Sequence, residues 1–392
     1  MTVTTPDLIN RLDANVDADK TTLLGLSHQL HDHPEIRYEE VQASQWLCDV
    51  LRERGFEVQQ GYGSLPTAFV AKMPGNGAGA NIALMCEYDA LEGLGHACGH
   101  NVIATMGLGA GLALAPLMKD LPGNLYVLGT PAEEGGGGKV TMLAEGAFAD
   151  IDAAMMIHPS FYNSVGKPSL ARVAWRVAYE GVPAHAAGAP HLGVNALDAV
   201  RLAFNGMDAM RQQVTPDTRY HAIIDHGGDA ANIIPKDASL KVYIRAADKN
   251  YLYDVLVPRM RNIFEGAALM TGCTVDITEI ARPYENIIVN DTLAERFKAH
   301  AERLGRTVAD ASGAGTGSTD AGNISQVIPT LHAYLQIDDS ARPHTSEFAT
   351  AAKSSRGDQT VADGAKILGS IAAELLSQPE LVSQAKREQG FS

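Results

Sequence analysis

Four groups of side chains that can bind a metal ion lie far apart along the chain. They are Cys98 with His100, Glu133 with Glu134, His158, and His344. Each group is placed at the carboxyl end of a predicted strand, where open α/β sheets bind their ligands, so the groups can converge on one centre. Thiolate, imidazole and carboxylate ligands together suit zinc or a similar divalent transition metal.

The adjacent carboxylates of Glu133 and Glu134 indicate which reaction such a centre could catalyse. Neighbouring side chains on an extended backbone point in opposite directions. At a strand end, one carboxylate can therefore hold a metal ion while the other faces a water molecule. A metal ion lowers the pKa of that water, and the free carboxylate can accept its proton. The pair indicates metal-assisted hydrolysis of an amide bond.

Two alternative functions remain open at this point. In the first, Cys98 is the nucleophile of a metal-independent amide hydrolase, with His100 or His96 as its base. That enzyme would be inactivated by thiol alkylation and indifferent to chelators, and its paired glutamates would have no function. In the second, the same cleft only binds an amino-acid derivative. A loop histidine that hydrogen-bonds to the backbone explains His96 as well as a ligand role does.

The elements that position these residues follow two patterns. Through residue 168, apolar segments such as "NIALMC" alternate with helical ones, which is typical of an α/β fold with mostly parallel strands. From Ser169, segments such as "LARVAWRVAYE" alternate apolar and polar residues and are accompanied by two helices, which favours an antiparallel α+β insert. The α/β pattern returns after Pro283. The sequence therefore predicts a discontinuous α/β domain, 1–168 and 284–392, interrupted by an α+β domain, 169–283.

Composition excludes several classes of partner. The chain has 392 residues, enough for two domains, and a formal net charge of −15, which argues against nucleic acid or an anionic membrane. Its most apolar stretch, Met106 to Met118, is shorter than the roughly 20 residues of a spanning helix. No secretory signal is visible, and the four cysteines lack the spacing of a disulfide scaffold. We expect a cytoplasmic protein that acts on a small molecule.

Eight motifs, in order along nearly the whole chain, resemble the M20 family of metallopeptidases and amidohydrolases. The resemblance is to the branch with "HACGH", and most to its aminobenzoyl-glutamate hydrolases and M20 domain-containing 2 dipeptidases. The motifs are "HPEIRYEE", "EYDALEGLGHACGHN", "GTPAEEGGGG", "MMIHP", "PAHAAGAPHLGVNALDA", "ANIIPKDASLKVYIRAAD", "GSTDAGNISQVIPTLHAYLQI" and "PHTSEFATAA". The resemblance implies a catalytic domain with two divalent metal ions, zinc or manganese, although a single zinc remains open. It also implies that the inserted domain is a lid that forms a homodimer.

Roles for individual residues are carried over from these motifs. The metal ligands implied by the resemblance are Cys98, His100, Glu134, His158 and His344. Glu133 would be the general base for a metal-activated water and then the proton donor to the leaving amine. Asp89 would orient a ligand, and His185 of the lid would stabilise the oxyanion.

The remaining positions concern the substrate and one departure from the family pattern. The substrate-binding positions implied by the resemblance are Asn232, Arg245, Gly317 and Ser318, and Arg245 could pair with a substrate carboxylate. Many relatives have His-x-Asp where this chain has Glu87, which leaves Glu87 as an added ligand, an acid that orients a ligand, or a structural residue. The predicted function is metal-dependent hydrolysis of the amide bond in small N-acyl amino acids or dipeptide-like substrates.

Overall fold

The computed structural model describes residues 5–309 and 317–391. These residues form two compact units. The first unit contains 5–168, 287–309 and 319–391, and the second contains Ser169–Asn286 together with 317–318. The boundaries predicted from the sequence fall after residues 168 and 283.

Strands and helices are numbered in chain order over the described residues. The strands are β1 (Glu57–Tyr62), β2 (Leu65–Pro74), β3 (Asn81–Cys86), β4 (Asn124–Gly129), β5 (Ala153–Ser160), β6 (Ala171–Glu180), β7 (Arg219–His226), β8 (Asp237–Ala246), β9 (Thr274–Tyr284) and β10 (Thr330–Gln336). The helices are α1 (Thr5–Asp32), α2 (Val41–Glu53), α3 (His100–Leu114), α4 (Gly138–Ala144), α5 (Ala196–Met210), α6 (Lys249–Tyr251), α7 (Val257–Thr271), α8 (Asp291–Arg303), α9 (Ala321–Ser325), α10 (Ser346–Ala351), α11 (Ser355–Ser377) and α12 (Pro379–Glu388).

The sheet of the first unit is mixed but mostly parallel. Its strand order is β1-β2-β4-β3-β5-β10. The strands β4, β3, β5 and β10 are mutually parallel, whereas β1 and β2 add an antiparallel edge. Because the four parallel strands share a direction, their carboxyl ends lie at one edge of the sheet. The predicted α/β class, a mostly parallel sheet flanked by helices, is confirmed.

Helix α3 lies at the centre of this unit, and every one of its residues is buried. The sequence predicts that its small residues let it approach the sheet closely. At Gly107, an added Cβ would lie 2.7 Å from the Cys86 sulfur in β3, so a larger residue would push the helix away. With the following turn, His100–Asp120 is apolar and long enough to cross a membrane, but 89% of its apolar window is buried, as in a core helix.

The second unit is an antiparallel sheet with helices on one face. Its strand order is β7-β8-β6-β9, and α5 and α7 contribute to a core that is separate from that of the first unit. Alternate residues of β6 enter this core, where the Trp175 ring packs edge-on against Phe264 of α7 at 6.4 Å between centroids. The residues between them, including Arg172 and Arg176, lie on the opposite face of the sheet. The predicted α+β insert is confirmed.

Candidate metal centre

The five predicted metal ligands converge at the carboxyl edge of the parallel strands. Three overlapping groups each have their ligand atoms within 4.8 Å of one another. The groups are Cys98 with His100 and His158, Cys98 with Glu134 and His344, and His100 with Glu133 and Glu134. The general base predicted from the sequence, Glu133, therefore lies beside the ligands. All of these residues belong to the first unit.

The two central histidines have their tautomers set by hydrogen bonds. The Nδ1 of His100 lies 3.1 Å from Asp89 Oδ1, and the Nδ1 of His158 lies 2.7 Å from the carbonyl oxygen of Pro159. In each ring, Nδ1 donates to an oxygen and leaves the lone pair of Nε2 for a metal ion. The Nε2 of His100 is buried and accepts no hydrogen bond within the described residues, so a cation suits this donor set.

Thiol, imidazole and carboxylate atoms approach one another around this point. The Sγ of Cys98 lies 3.4 Å from Nε2 of His158, and Nε2 of His344 lies 3.2 Å from Oε1 of Glu134. Desolvation alone would raise the pKa of Glu134, but the hydrogen bond from His344 and the charge of His100 lower it. Desolvation, reinforced by the charge of Glu134, raises the pKa of Glu133 well above its usual value. Adjacent carboxyls with divergent pKa values suit separate roles.

Asp89 connects the helix to the loop that carries the carboxylates. Besides His100, it accepts hydrogen bonds from the backbone N–H groups of Glu133 at 3.1 Å and Glu134 at 2.9 Å. One buried carboxylate therefore fixes both the first residue of α3 and the two glutamates that follow β4. This geometry is the one that the predicted orienting role of Asp89 requires.

Backbone conformation also determines where the ligands lie. Gly99, between two predicted ligands, has a φ of +75°, and an added Cβ would lie 2.5 Å from Cγ of Pro159. His344 has a φ of 68°, which is uncommon outside glycine, and its N–H donates to the carbonyl oxygen of Ala97. Left-handed residues of this kind concentrate at functional sites, where the surrounding contacts hold them in place.

A buried ion network behind the ligands was missed by the sequence analysis. The Nζ of Lys139 lies 2.6 Å from Oε1 of Glu87 and 2.7 Å from Oδ1 of Asp320, and all three side chains are almost fully buried. Desolvation opposes the charge of Lys139, but Asp320 and Glu87 raise its pKa. The other carboxylate oxygen of Glu87 is 3.5 Å from Nε2 of His100. Glu87 thus touches both the ammonium and the ligand edge. Lys139, the second residue of the short helix α4, carries no local pattern that marks it as buried.

Glu40 is a second residue that the sequence analysis missed. It is buried, and its Oε1 accepts the N–H of Ala132 in the loop after β4, while Oε2 accepts the hydroxyl of Thr67. Burial and then the charge of Asp89 raise the pKa of Glu40 to about 7. The "HPEIRYEE" motif therefore supports the carboxylate loop, and the nearby Arg37 also donates to the carbonyl oxygen of Glu134 at 3.1 Å.

Two other buried histidines lie near the centre but outside the ligand groups. His96 is stacked against His31 at 6.2 Å between ring centroids, and burial lowers its pKa to about 3. The ring of His332 lies 5.9 Å from that of His158, and burial lowers the pKa of His332 to about 4. Neither belongs to a group of converging ligand atoms in the described part of the chain.

The surroundings of the Cys98 thiol argue against the alternative function in which Cys98 is the nucleophile. Burial, followed by the charge of Glu134, raises the pKa of Cys98 well above its ordinary value. Nucleophilic cysteines need the opposite, a thiolate stabilised by a positive surrounding. The paired carboxylates beside Cys98 instead match a thiol that becomes a thiolate by binding a cation.

The other predicted residues lie in the second unit. His185 is exposed, and its Nδ1 accepts the N–H groups of Ala187 and Gly188, which leaves a proton on Nε2. The carbonyl oxygen of Asn232 accepts the N–H of Ala186, so the Asn232 segment lies beside the His185 turn.

Arg245 and the short segment 317–318 come together within the same unit. Arg245 Nη1 donates to Ser318 Oγ at 2.8 Å, and the carbonyl oxygen of Gly317 accepts the N–H of Leu170 at 2.8 Å. The predicted substrate positions Arg245, Gly317 and Ser318 are therefore neighbours, although they are more than 70 residues apart in sequence.

Comparison with known proteins identifies the family of this chain and agrees with its fold. The sequence profile of Peptidase family M20/M25/M40 matches residues 80–374, and the chain belongs to this family. It is 39% identical over 397 residues to the Xaa-Arg dipeptidase of Mus musculus, covering 97% of this chain and 92% of that protein. It is 37% identical to one of the p-aminobenzoyl-glutamate hydrolase subunits of Escherichia coli, over 68% of this chain and 59% of that one.

Solved structures show the same fold. A dinuclear metal-binding peptidase of the M20 family from Bacillus subtilis aligns with a TM-score of 0.67 and 20% identity, covering 91% of this chain and 99% of that one. The resemblance stated from the motifs is confirmed, as is the predicted enzyme class, a hydrolase of carbon–nitrogen bonds. In this chain, the converging thiol, imidazole and carboxylate atoms form a donor set that could hold a metal ion.

Proposed function

We propose that this chain is a divalent-metal-dependent amidohydrolase that cleaves the amide bond of small N-acyl amino acids or dipeptide-like substrates. The observation that carries the proposal is the convergence of thiol, imidazole and carboxylate atoms within 4.8 Å of one another. The names of two relatives support the substrate class. A Xaa-Arg dipeptide and p-aminobenzoyl-glutamate each contain an amide between an acyl group and an amino acid.

The residues proposed to hold the metal are those whose side-chain ligand atoms converge. They are Cys98, His100, Glu134, His158 and His344. A divalent ion at this place supplies Lewis acidity, which makes water more acidic and stabilises negative charge on oxygen. We propose two ions, and the mixed donor set suits zinc or manganese.

Glu133 is proposed to carry the proton through the reaction. Its carboxylate takes a proton from the water whose oxygen attacks the substrate carbonyl carbon. The carbon–nitrogen bond then breaks, and the same carboxyl group gives that proton to the leaving nitrogen, so no proton is gained or lost. Asp89 holds the backbone of Glu133 in place during both transfers.

Residues of the second unit are proposed to contact the substrate. His185 presents a protonated Nε2, which can donate to the carbonyl oxygen as negative charge develops on it. Arg245 can bind the substrate carboxylate, with Asn232, Gly317 and Ser318 beside that end of the substrate. We also propose that the protein is cytoplasmic and forms a homodimer through this unit. Light scattering at several protein concentrations would test whether it is a dimer.

Removal and return of the metal test the function. Purified protein is depleted with a chelator, its metal content is measured, and hydrolysis of a panel of N-acyl amino acids and dipeptides is followed. We expect activity to disappear with the metal and to return with added zinc or manganese. Full activity in metal-depleted protein, abolished by thiol alkylation, would instead support the cysteine nucleophile. Metal-loaded protein that binds but never hydrolyses the panel would support a binding protein.

A further inference from the structure

Three arginines lie side by side on one face of the sheet in the second unit. Arg245 of β8 is the register partner of Arg172 in β6 and of Arg219 in β7. Cross-strand partners project to the same face of a sheet. That face is the one opposite the helices, because the neighbouring Val173 is part of the apolar core. A row of guanidinium groups is notable in a chain with a formal charge of −15.

Arg172 is a buried cation that has no counterion among the described residues. Only 3% of the residue is exposed, and its Nη1 has no hydrogen-bond acceptor among the described residues. No carboxylate of the described chain forms an ion pair with it. Its guanidinium carbon lies 4.0 Å from the ring centroid of Tyr284 and 5.5 Å from that of Tyr243. Stacking on aromatic rings offsets only part of the cost of burying a charge.

Arg245 adds a second positive charge beside the first. Its guanidinium carbon lies 5.8 Å from the same Tyr243 ring, so both guanidinium groups border that ring. Its only polar side-chain partner in the described part of the chain is the neutral hydroxyl of Ser318. Desolvation and then the charge of Arg172 lower the pKa of Arg245. Because Arg245 is partly exposed, it gives a ligand access to the pair.

Another arginine on the same face shows the usual arrangement. Arg176, four residues along β6, donates to Asp225 at 3.2 Å, and Lys241 pairs with the same carboxylate at 2.7 Å. The sheet therefore provides an internal anion for these two cations. It provides none, in the residues described, for Arg172 and Arg245. The missing anion at that pair is best supplied by a ligand.

We propose that Arg172 and Arg245 together form a two-arginine site that selects substrates whose released amino acid is dicarboxylic, such as N-acyl derivatives of glutamate or aspartate. The inference rests on the proposed function and names its substrate class. A single carboxylate would neutralise one of the two charges, whereas a dianion neutralises both. The planar, multidentate guanidinium groups suit carboxylate recognition. Arg172 is the specificity-determining residue, since Arg245 alone would hold any amino-acid carboxylate.

Matched substrates and variants test this selectivity. Hydrolysis of N-acetyl-glutamate, N-acetyl-glutamine and N-acetyl-arginine is compared for the wild type, Arg172→Met and the control Arg176→Met. We expect wild-type kcat/KM to favour N-acetyl-glutamate over N-acetyl-glutamine by at least about 10-fold, mainly through KM. In Arg172→Met that ratio should fall to about 1, while Arg176→Met should retain it. Arg172→Lys, which keeps the charge, should keep part of the preference even if the methionine variant fails to fold.

A binding measurement separates failure of this inference from failure of the proposed function. Calorimetry of N-acetyl-glutamate is carried out on the metal-loaded wild type and on Arg172→Lys. Tight binding that weakens in the variant, with no hydrolysis of any substrate, would keep the arginine site and overturn the hydrolase. Hydrolysis at equal kcat/KM for all three compounds, or a preference for N-acetyl-arginine, would overturn the arginine site and keep the hydrolase. Absence of measurable N-acetyl-glutamate binding would also overturn the proposed arginine site.

Discussion

The candidate metal centre of the first unit and the arginine row of the second are opposite in charge. Around His100, the carboxyl groups outnumber the cations, although Lys139 neutralises part of the excess. Around Arg172 and Arg245, cations stand together without a carboxylate from the described residues. Buried charge is costly unless it is paired. The comparison suggests that each region is completed by a ligand of the sign that it lacks, a cation in the first unit and an anion in the second.

Substitution of the proposed base, Glu133, should have the largest effect, because it should abolish proton transfer without removing a proposed metal ligand. Glu133→Gln should lower kcat by about 10²–10⁴-fold, since proton transfer by a placed carboxylate contributes that much. Metal content, measured by elemental analysis, should stay near the wild-type level because Glu134 remains. Glu39→Gln, on an exposed glutamate, is the control and should leave kcat unchanged. Wild-type kcat in Glu133→Gln would show that another group moves the proton.

Removing the internal cation would test whether the first unit depends on Lys139. Lys139→Met leaves Glu87 and Asp320 buried without a counterion, which should reduce the free energy of unfolding by about 3–5 kcal/mol. Urea unfolding followed by circular dichroism measures the loss. Lys353→Met removes an exposed pair with Asp32 and should cost less than about 1 kcal/mol. Equal losses in the two variants would mean that burial does not govern the Lys139 network.

Asp89→Asn should weaken the metal centre without removing a ligand. The amide replaces the carboxylate that accepts from His100 and from two backbone N–H groups, so metal affinity should fall about 10–100-fold. Competition with a chromogenic chelator gives the affinity. The exposed Asp49→Asn provides the matched control. Unchanged affinity in Asp89→Asn would mean that the ligand positions are set by packing alone.

The smallest predicted effects compare backbone constraints in the two units. Gly99→Ala places a Cβ at positive φ against Pro159, so it should destabilise the protein by about 1–3 kcal/mol and lower metal content. Gly266→Ala lies inside α7 with nothing within 4 Å of the new Cβ, so it should stabilise by up to about 1 kcal/mol. Thermal unfolding measures both. The same sign in both variants would contradict a conformational requirement at Gly99.

The sequence predicted which side chains converge because each of them follows a local pattern. Cys98, His100 and the glutamate pair follow apolar strands, and parallel strands bring their carboxyl ends together whatever the sequence distance. The α/β and α+β classes were accessible for the same reason, since each depends on local periodicity. The antiparallel edge formed by β1 and β2 was not predicted, because pairing direction depends on partners elsewhere in the sheet.

The sequence did not reveal residues that are buried by partners far away along the chain. Lys139 follows four glycines and gives no local sign of burial, since its partner Asp320 lies 181 residues away. Arg172 occupies the polar phase of an alternating strand, which normally faces solvent. It is buried instead, against Tyr284 on the neighbouring strand β9. The dimer and the cellular location were predicted from resemblance and composition, and both remain predictions.

The close packing of α3 bears on which side chains of the candidate centre could move when one metal ion replaces another. Added Cβ atoms on the helix would strike Cys86 on one side and Leu23 of α1 on another, so the helix is closely packed against both β3 and α1. His100, the buried first residue of α3, is therefore the proposed ligand that we expect to move least. His344, by contrast, has a side chain that is 54% exposed on an irregular segment, so within the proposed ligand set we expect it to adjust to ions of different radius. Metal exchange should thus move the histidine near the C-terminal end of the chain and leave the helical one where it is.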